Sequence, residues 1–268
     1  MQRQSSRAER YGSLNRTVND FSQLKLAIMI KNGIRRLLRS NGFDLHRFNP
    51  ETSPASQIQK SLQAHAIDLV LDVGANVGQF VLDLRSTGFT GRVVSFEPLS
   101  SAHSELSAAA RQDPLWTVHS RCAIGDRDGE VEINVSGNSV SSSVLPMMDS
   151  HRSAAAGSAY VGIERIPILM LDTVAPLYLA DARRPLLKID TQGFEWQVLD
   201  GARGTLQSVR GVLCELSMVP LYEGQRLWLE TIQRLEGLGF ALWALQSGFA
   251  DPRDGRGLQM DGLFFRRG

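Results

Sequence analysis

The sequence is poor in cysteine, nearly balanced in charge and without a long apolar run. Its two cysteines among 268 residues give no disulfide framework and no metal-type spacing. The formal net charge of +1 provides no general attraction to nucleic acid. The longest apolar run near the N-terminus, residues 24–30, contains Lys25 and is far shorter than the ~20 residues of a membrane span. Residues 1–20 are also largely polar and do not resemble a signal peptide, so we expect a cytoplasmic protein. From the balanced charge we expect no binding to nucleic acid.

The first fifty residues are strongly basic, with ten Lys or Arg against three Asp or Glu. Residues 20–40 show the apolar spacing of an amphipathic helix. Its apolar positions are Leu24, Ala27, Ile30, Ile34, Leu37 and Leu38. We expect this helix to pack against the catalytic domain or a second copy of the chain, with peripheral contact to an anionic membrane as the alternative. We assign residues 1–60 to this extension and a Pro/Ser-containing linker, and residues 61–268 to the catalytic domain.

Beyond the linker, apolar runs alternate with segments of helix length. The predicted strands are residues 67–73, 92–96, 117–124, 186–189, 211–216, 241–245 and 263–267. Such alternation predicts an α/β fold with a doubly wound, largely parallel, Rossmann-like sheet. Residues 129–185 interrupt the pattern, and we interpret them as an inserted β-hairpin with a serine-rich loop beside the edge of the active site.

A glycine-containing loop follows the first predicted strand, within the segment LDVGANVGQF. Gly74 and Gly78 permit close backbone approach and positive φ, and nucleotides bind at the end of the first strand of doubly wound folds. A dinucleotide fingerprint would require glycine where this chain has Asn76 and Gln79. Asp72 precedes the first glycine by two residues, which suits a cofactor with an ammonium and a sulfonium and would repel a pyrophosphate.

The next two strand ends complete a predicted adenosine site. The second strand ends in Glu97, nineteen residues after Gly78, where a carboxylate accepts hydrogen bonds from both ribose hydroxyls. The third ends at residues 122–126, which can flank an adenine ring. The predicted cofactor-binding residues are Asp72, Gly74, Ala75, Asn76, Gly78, Glu97 and Ala123.

These segments resemble the FkbM family of S-adenosylmethionine-dependent methyltransferases. The resemblance is carried, in the family's order, by DVGANVGQF, SFEP, AIGDRDGE, SSSVL, LDTV, LKIDTQGFEWQVLDGA, CELS and LQMDGLFFRR. It implies transfer of a methyl group from S-adenosylmethionine to a hydroxyl of a natural product, polysaccharide or glycolipid sugar. This chain has Gln192 where many relatives have an acidic residue, so a carboxylate role at that position does not carry over.

Acidic residues near the ends of two adjacent predicted strands are the candidates for catalysis. Methyl transfer to an alcohol requires alignment of the oxygen and removal of its proton. We favour Asp190 as the base or acceptor-orienting group, with Glu215 second. Lys188 is either a catalytic residue or a member of a structural ion pair. Glu195 is a candidate cap for the start of the following helix. Mg²⁺ bound by these acids is an alternative, but no metal-type spacing is recognisable, so we predict no metal site.

Other polar and aromatic side chains are weaker candidates. His151 follows the serine-rich loop, and we interpret it as a solvated loop histidine, with general base as the alternative. Tyr160, Tyr222, Trp243 and Phe249 offer ring faces to a sugar, although core packing is the default for Trp243.

The sequence therefore predicts an S-adenosylmethionine-dependent O-methyltransferase that acts on a sugar hydroxyl. Two alternatives stay open: methylation of a polyketide-type hydroxyl, and a catalytically silent partner protein of the same fold. The presence of Asp72, Gly74, Gly78 and Glu97 together argues against the silent protein. The glycine spacing argues against a nicotinamide dehydrogenase.

Overall fold

The computed structural model describes Met29, residues 31–38, Ser40 and residues 53–267. The chain divides into two units, Met1–Pro50 and Glu51–Gly268. Residues 31–38 are helical, in agreement with part of the predicted N-terminal helix, and the side chains of Ile34 and Leu37 are exposed. The rest of the predicted helix apart from Met29 and Ser40, and the first part of the predicted linker, lie outside the described residues. No helix in the described part of the chain is long and apolar enough to cross a membrane.

The second unit contains two β-sheets flanked by helices. The strands of the described residues are β1 (Leu69–Val73), β2 (Arg92–Phe96), β3 (Trp116–Val118), β4 (Ala123–Gly125), β5 (Gly129–Ser136), β6 (Tyr160–Met170), β7 (Pro185–Ile189), β8 (Gly211–Ser217), β9 (Phe240–Ser247) and β10 (Gln259–Arg266). The helices are α1 (Pro54–Ala64), α2 (Gln79–Ser86), α3 (Ser100–Ala110), α4 (Asp149–Ala154), α5 (Leu171–Val174), α6 (Pro176–Leu179), α7 (Glu195–Asp200), α8 (Arg203–Ser208) and α9 (Trp228–Gly237).

The main sheet has seven strands in the order β3-β2-β1-β7-β8-β10-β9. β1, β2, β3, β7 and β8 pair in parallel, and β10 runs antiparallel to both of its neighbours. The chain moves outward from β1 to β3 and then returns to β7 on the other side of β1. This topology confirms the predicted doubly wound α/β fold.

Strand β1 is buried along its whole length and packs on both faces. Leu71 and Val73 belong to one hydrophobic cluster, and Val70 belongs to a second cluster on the opposite face. Side chains alternate across a strand, so a strand covered on both sides needs apolar residues at successive positions. The unbroken apolar run at residues 69–71 therefore reflects the central position of β1.

The predicted domain boundary at residue 60 falls inside α1. Ser53 caps this helix by accepting a hydrogen bond from the Ser56 amide, and Pro54 occupies the first helical turn. Ile58 and Leu62 pack into the same cluster as Val70. The Pro/Ser segment interpreted as a linker is thus partly the start of a helix of the second unit.

The predicted third strand is two strands in different sheets. β3 pairs with β2, whereas β4 pairs in parallel with β6 in a three-stranded sheet of order β4-β6-β5. Arg121 lies between β3 and β4, donates to the Pro98 carbonyl and forms a 2.8 Å ion pair with Glu164 of β6. These contacts hold the chain on the smaller sheet. β5 and β6 pair antiparallel, which confirms the inserted hairpin.

Candidate active site

A cavity of about 290 Å³ lies at the carboxyl ends of the central strands. Its wall includes residues that directly follow β1, β2 and β7. The strand order reverses between β1 and β7, and open α/β sheets bind ligands at such a switch point. We refer to this space as the cofactor cavity.

The loop after β1 contributes Gly74, Ala75 and Asn76, three of the predicted cofactor-binding residues, to the wall of the cofactor cavity. Gly74 has φ +78°, and a Cβ atom there would lie 1.7 Å from the Asp190 carbonyl oxygen. A side chain at this position would therefore force the ends of β1 and β7 apart. The Gly74 and Ala75 amides both donate to the Phe96 carbonyl, so the loop is also tied to β2.

Glu97 lies in the wall of the cofactor cavity and is 3% exposed. Its two carboxylate oxygens accept hydrogen bonds from the Asn76 amide at 2.7 Å and the Leu99 amide at 2.8 Å. Burial raises the pKa of Glu97 to about 7, although both amide donors act in the opposite direction. Each oxygen keeps a second lone pair, so the carboxylate can still accept from a pair of ribose hydroxyls.

An apolar wall lies across from the loop after β1. It contains the predicted residue Ala123 together with Cys122, Ile124 and Phe194. Burial raises the pKa of the Cys122 thiol to about 12, so this sulfur is uncharged and packs as an apolar group. An apolar wall beside a buried carboxylate and a glycine loop fits an adenosyl group.

Two of the predicted cofactor residues, Asp72 and Gly78, do not line the cofactor cavity. Asp72 is fully buried within β1 and lies in register with Ser95 and Lys188 on the neighbouring strands. Ser95 donates to its carboxylate at 2.9 Å, and the Lys188 ammonium lies 3.0 Å away. A Cβ atom on Gly78 would come within 2.6 Å of the Trp116 ring. The structure therefore places Asp72 in a buried ion pair and Gly78 in a packing contact.

Lys188 connects this ion pair to the cofactor cavity, which it lines. Its ammonium donates to the Gly74 carbonyl at 2.8 Å and lies 3.7 Å from the Asp190 carboxylate. The charges of Asp72 and Asp190 raise the pKa of Lys188 even though burial acts to lower it. This arrangement fits the structural ion pair, the second of the two roles considered for Lys188.

The two predicted catalytic carboxylates lie on either side of Gln192. Its amide nitrogen donates to Asp190 at 2.9 Å and to the Glu215 oxygens at 3.1 and 3.2 Å. Its amide oxygen accepts a 3.0 Å hydrogen bond from the Tyr222 hydroxyl. Gln192, the position that departs from the family pattern, is thus central to the site. Sequence reasoning did not predict this role.

A further acid, Asp261, lies opposite Glu215 in the β8–β10 pairing. Burial and the charge of Asp190 raise the pKa of Asp261 to about 6. Burial and the neighbouring acids raise the pKa of Glu215 strongly. Sequence reasoning passed over Asp261 inside the LQMDGLFFRR segment, where an acid interrupts an apolar strand. Within the residues that the structure describes, no three His, Cys, Asp or Glu side chains form a group that could hold a metal ion.

Glu195 caps the turn before α7, whereas α7 itself begins after Phe194 without a side-chain cap. Its buried carboxylate accepts from the amides of Thr191 at 3.0 Å and Gly193 at 3.1 Å. Burial raises the pKa of Glu195 to about 7. The cap fixes the turn that presents Asp190 and Gln192 at the end of β7.

The interpretation of His151 as a solvated residue is wrong. His151 belongs to α4 and is 2% exposed, because its ring packs beside Tyr222 and Phe249. Its Nε2 atom lies 3.0 Å from the Ser141 hydroxyl of the serine-rich loop, and burial lowers the pKa of the imidazole. The expected core packing of Trp243 is also wrong, since this side chain is 56% exposed on β9 at the edge of the sheet.

Three solved structures illustrate what the chain is similar to. TehB from Haemophilus influenzae is 9% identical with a TM-score of 0.44, and the match covers 81% of this chain but only 63% of TehB. Magnesium protoporphyrin IX methyltransferase (ChlM) from Synechocystis PCC 6803 with bound SAM is 12% identical, with a TM-score of 0.44 and coverage of 88% and 97%. The CcbJ methyltransferase from Streptomyces caelestis is 10% identical, with a TM-score of 0.40 and coverage of 83% and 100%.

No curated protein sequence matches the chain. The methyltransferase FkbM domain matches residues 72–242, which begin in β1 and end in β9. This match contains the loop after β1, Glu97, Asp190, Gln192 and Glu215, and it covers more than half of the chain. The chain therefore belongs to the FkbM family of methyltransferases.

Proposed function

We propose that this protein transfers the methyl group of S-adenosylmethionine to a hydroxyl of a sugar in a glycolipid, polysaccharide or glycosylated natural product. The observation that carries the proposal is the pair of carboxylates, Asp190 and Glu215, held by Gln192 beside the cofactor cavity. S-adenosylmethionine, when bound, supplies a methyl group activated by a positively charged sulfonium. An alcohol oxygen needs a nearby base to lose its proton during such a transfer, whereas a thiolate or an amine does not depend on a carboxylate in the same way.

The cofactor cavity supplies the binding part of the proposal. Glu97 would hold the ribose hydroxyls, and the apolar wall around Ala123 would flank the adenine. The loop of Gly74 would let the backbone approach the cofactor closely. Lys188 neutralises Asp72 and holds the Gly74 carbonyl, so its role is to position this loop.

Asp190 is the carboxylate that we propose as base. It lines the cofactor cavity, its side chain is 40% exposed, and Gln192 fixes one of its oxygens. The raised pKa of Glu215 keeps that group protonated in a larger fraction of molecules at neutral pH. A protonated carboxyl can orient the acceptor by donating a hydrogen bond, but it cannot take a proton.

A cavity of about 410 Å³ that adjoins the cofactor cavity favours a sugar over a polyketide acceptor. Gln192, Glu215, Gln259, Ser141 and Asn138 contribute polar side chains to it. Such a lining can donate to and accept from several hydroxyls of one sugar ring, which supports a sugar acceptor.

Labelled S-adenosylmethionine tests the proposal, with glycolipid extracts and a panel of methyl glycosides as acceptors. Label should enter the sugar, and Asp190→Asn should lower turnover by ~10²–10⁴-fold while leaving S-adenosylhomocysteine affinity unchanged. If Glu215→Gln removed turnover and Asp190→Asn did not, the base would be Glu215. Transfer confined to polyketide alcohols would refute the sugar acceptor.

A further inference from the structure

The second cavity is separated from the cofactor cavity by a narrow partition. Val140 and Gln192 line both spaces. Asp190 lines only the cofactor cavity, and Glu215 lines only the second cavity. Gln192 donates to both carboxylates, so the two cavities meet where the proposed proton acceptor lies.

The serine-rich loop between β5 and α4 forms part of this partition. Ser139 and Ser142 face the cofactor cavity, whereas Asn138 and Ser141 face the second cavity. The Tyr222 hydroxyl donates to the Ser141 carbonyl at 3.1 Å, and the His151 Nε2 atom lies 3.0 Å from the Ser141 hydroxyl. These contacts bind the loop to neighbouring elements, so the second cavity has a fixed wall.

Among the residues that the structure describes, no lysine or arginine lines the second cavity. Its polar groups are amides, the Ser141 hydroxyl, the His151 imidazole and the Glu215 carboxyl, and Phe249 adds a ring face. Burial lowers the pKa of His151 and so favours its uncharged imidazole. A carboxylate or phosphate on a ligand would lose its hydration there and find no cation among these side chains. Uncharged hydroxyls would find several hydrogen-bond partners.

We infer that the second cavity is the acceptor site and that it admits an uncharged sugar ring while excluding uronic acids and phosphorylated sugars. This inference rests on the proposed function, because an acceptor is required only if methyl transfer to a sugar occurs. The hydroxyl to be methylated reaches the cofactor cavity past Gln192 and Val140. Ala154, Ala155 and Ala156, at the end of α4, also line the cavity, and their small side chains leave room for a ligand.

Ala155 provides the test position. It lines the second cavity but not the cofactor cavity, and its extended backbone at the end of α4 accepts any L side chain. Ala155→Lys adds a cation to the cavity, and Ala155→Met is the uncharged control of similar length. Saturation-transfer NMR on protein saturated with S-adenosylhomocysteine would compare neutral methyl hexosides with methyl glucuronoside and glucose 6-phosphate.

We expect the wild type to bind at least one neutral hexoside about tenfold more tightly than either anion. Both variants should bind the neutral sugar more weakly than the wild type does. Only Ala155→Lys should gain affinity for the anionic sugars, by about tenfold relative to Ala155→Met. Equal binding of neutral and anionic sugars by the wild type would overturn the inference. The inference would also be overturned if Ala155→Met bound the neutral hexoside as tightly as the wild type. The same holds if the wild type bound S-adenosylhomocysteine but no hexoside. Failure to bind S-adenosylhomocysteine would instead refute the proposed function itself.

Discussion

Removal of the Lys188 ammonium should destabilise the fold far more than loss of an ordinary surface charge. Asp72 is 0% exposed, and its carboxylate has the Lys188 ammonium at 3.0 Å and the Ser95 hydroxyl at 2.9 Å as its close partners. In Lys188→Met a buried carboxylate would keep only the neutral hydroxyl. Breaking a buried ion pair from one side costs about 3–5 kcal/mol, because the remaining charge is desolvated without compensation. The variant also loses the hydrogen bond to the Gly74 carbonyl.

Thermal and urea unfolding would measure this loss. For a chain of this size ~1 kcal/mol corresponds to about 2–4 °C, so the apparent Tm of Lys188→Met should fall by roughly 6–20 °C. The double variant Asp72→Asn/Lys188→Met removes both charges and should recover most of the loss. Arg226→Met is the matched control, because Arg226 pairs with Glu230 at the surface and its loss should cost at most about 1 kcal/mol. A double variant as unstable as Lys188→Met would refute the argument from an uncompensated buried charge.

Three further predictions concern cofactor binding and the N-terminal helix. Burial raises the pKa of Glu97 to about 7, and only its ionised form accepts two ribose hydroxyls. Calorimetry should therefore show the affinity for S-adenosylhomocysteine falling below pH 7, by up to about tenfold per pH unit. Glu97→Gln should bind S-adenosylhomocysteine weakly at every pH. Gly74→Ala should lose both cofactor binding and thermal stability, because its Cβ atom would lie 1.7 Å from the Asp190 carbonyl oxygen. Gly88→Ala is the control, because Gly88 also has a positive φ but an added Cβ atom there meets no atom within 4 Å. Deletion of residues 1–40 should lower the Tm with or without lipid, as expected of a helix that packs on the rest of the protein. Loss of sedimentation with anionic vesicles at an unchanged Tm would instead indicate a membrane-binding helix.

The sequence predicts the main sheet well because its signals are local. Buried parallel strands such as β1 and β7 begin with adjacent apolar residues that do not alternate with polar ones, and the loop after β1 carries its glycines in the sequence itself. The division of residues 117–124 into β3 and β4 accompanies the pairing of β4 with β6 and the contact of Arg121 with Glu164, which is 43 residues away in the chain. Contacts of that kind leave no periodic signal, so one apolar stretch is easily taken for one strand.

The same distinction explains which site residues the sequence identifies. Glu97 directly follows a strand, so its place at the carboxyl edge follows from position alone. Asp72 lies one residue before the end of β1, and its side chain joins Ser95 and Lys188 across the sheet instead of the cavity. That outcome depends on the register of three strands. The burial of His151 likewise depends on α4 packing beside Tyr222, which is distant in sequence.

Gln192 gives the departure from the family pattern a physical reason. A carboxylate at this position would stand beside Asp190 and Glu215 and would add a third acid to the group. The amide instead supplies a donor to both carboxylates and an acceptor for the Tyr222 hydroxyl. Its backbone adopts φ +54°, held by the Ser143 hydroxyl on its carbonyl and by the Glu195 cap of the adjoining turn. The neutral side chain therefore orients the two acids without adding charge, at the point where the two cavities meet.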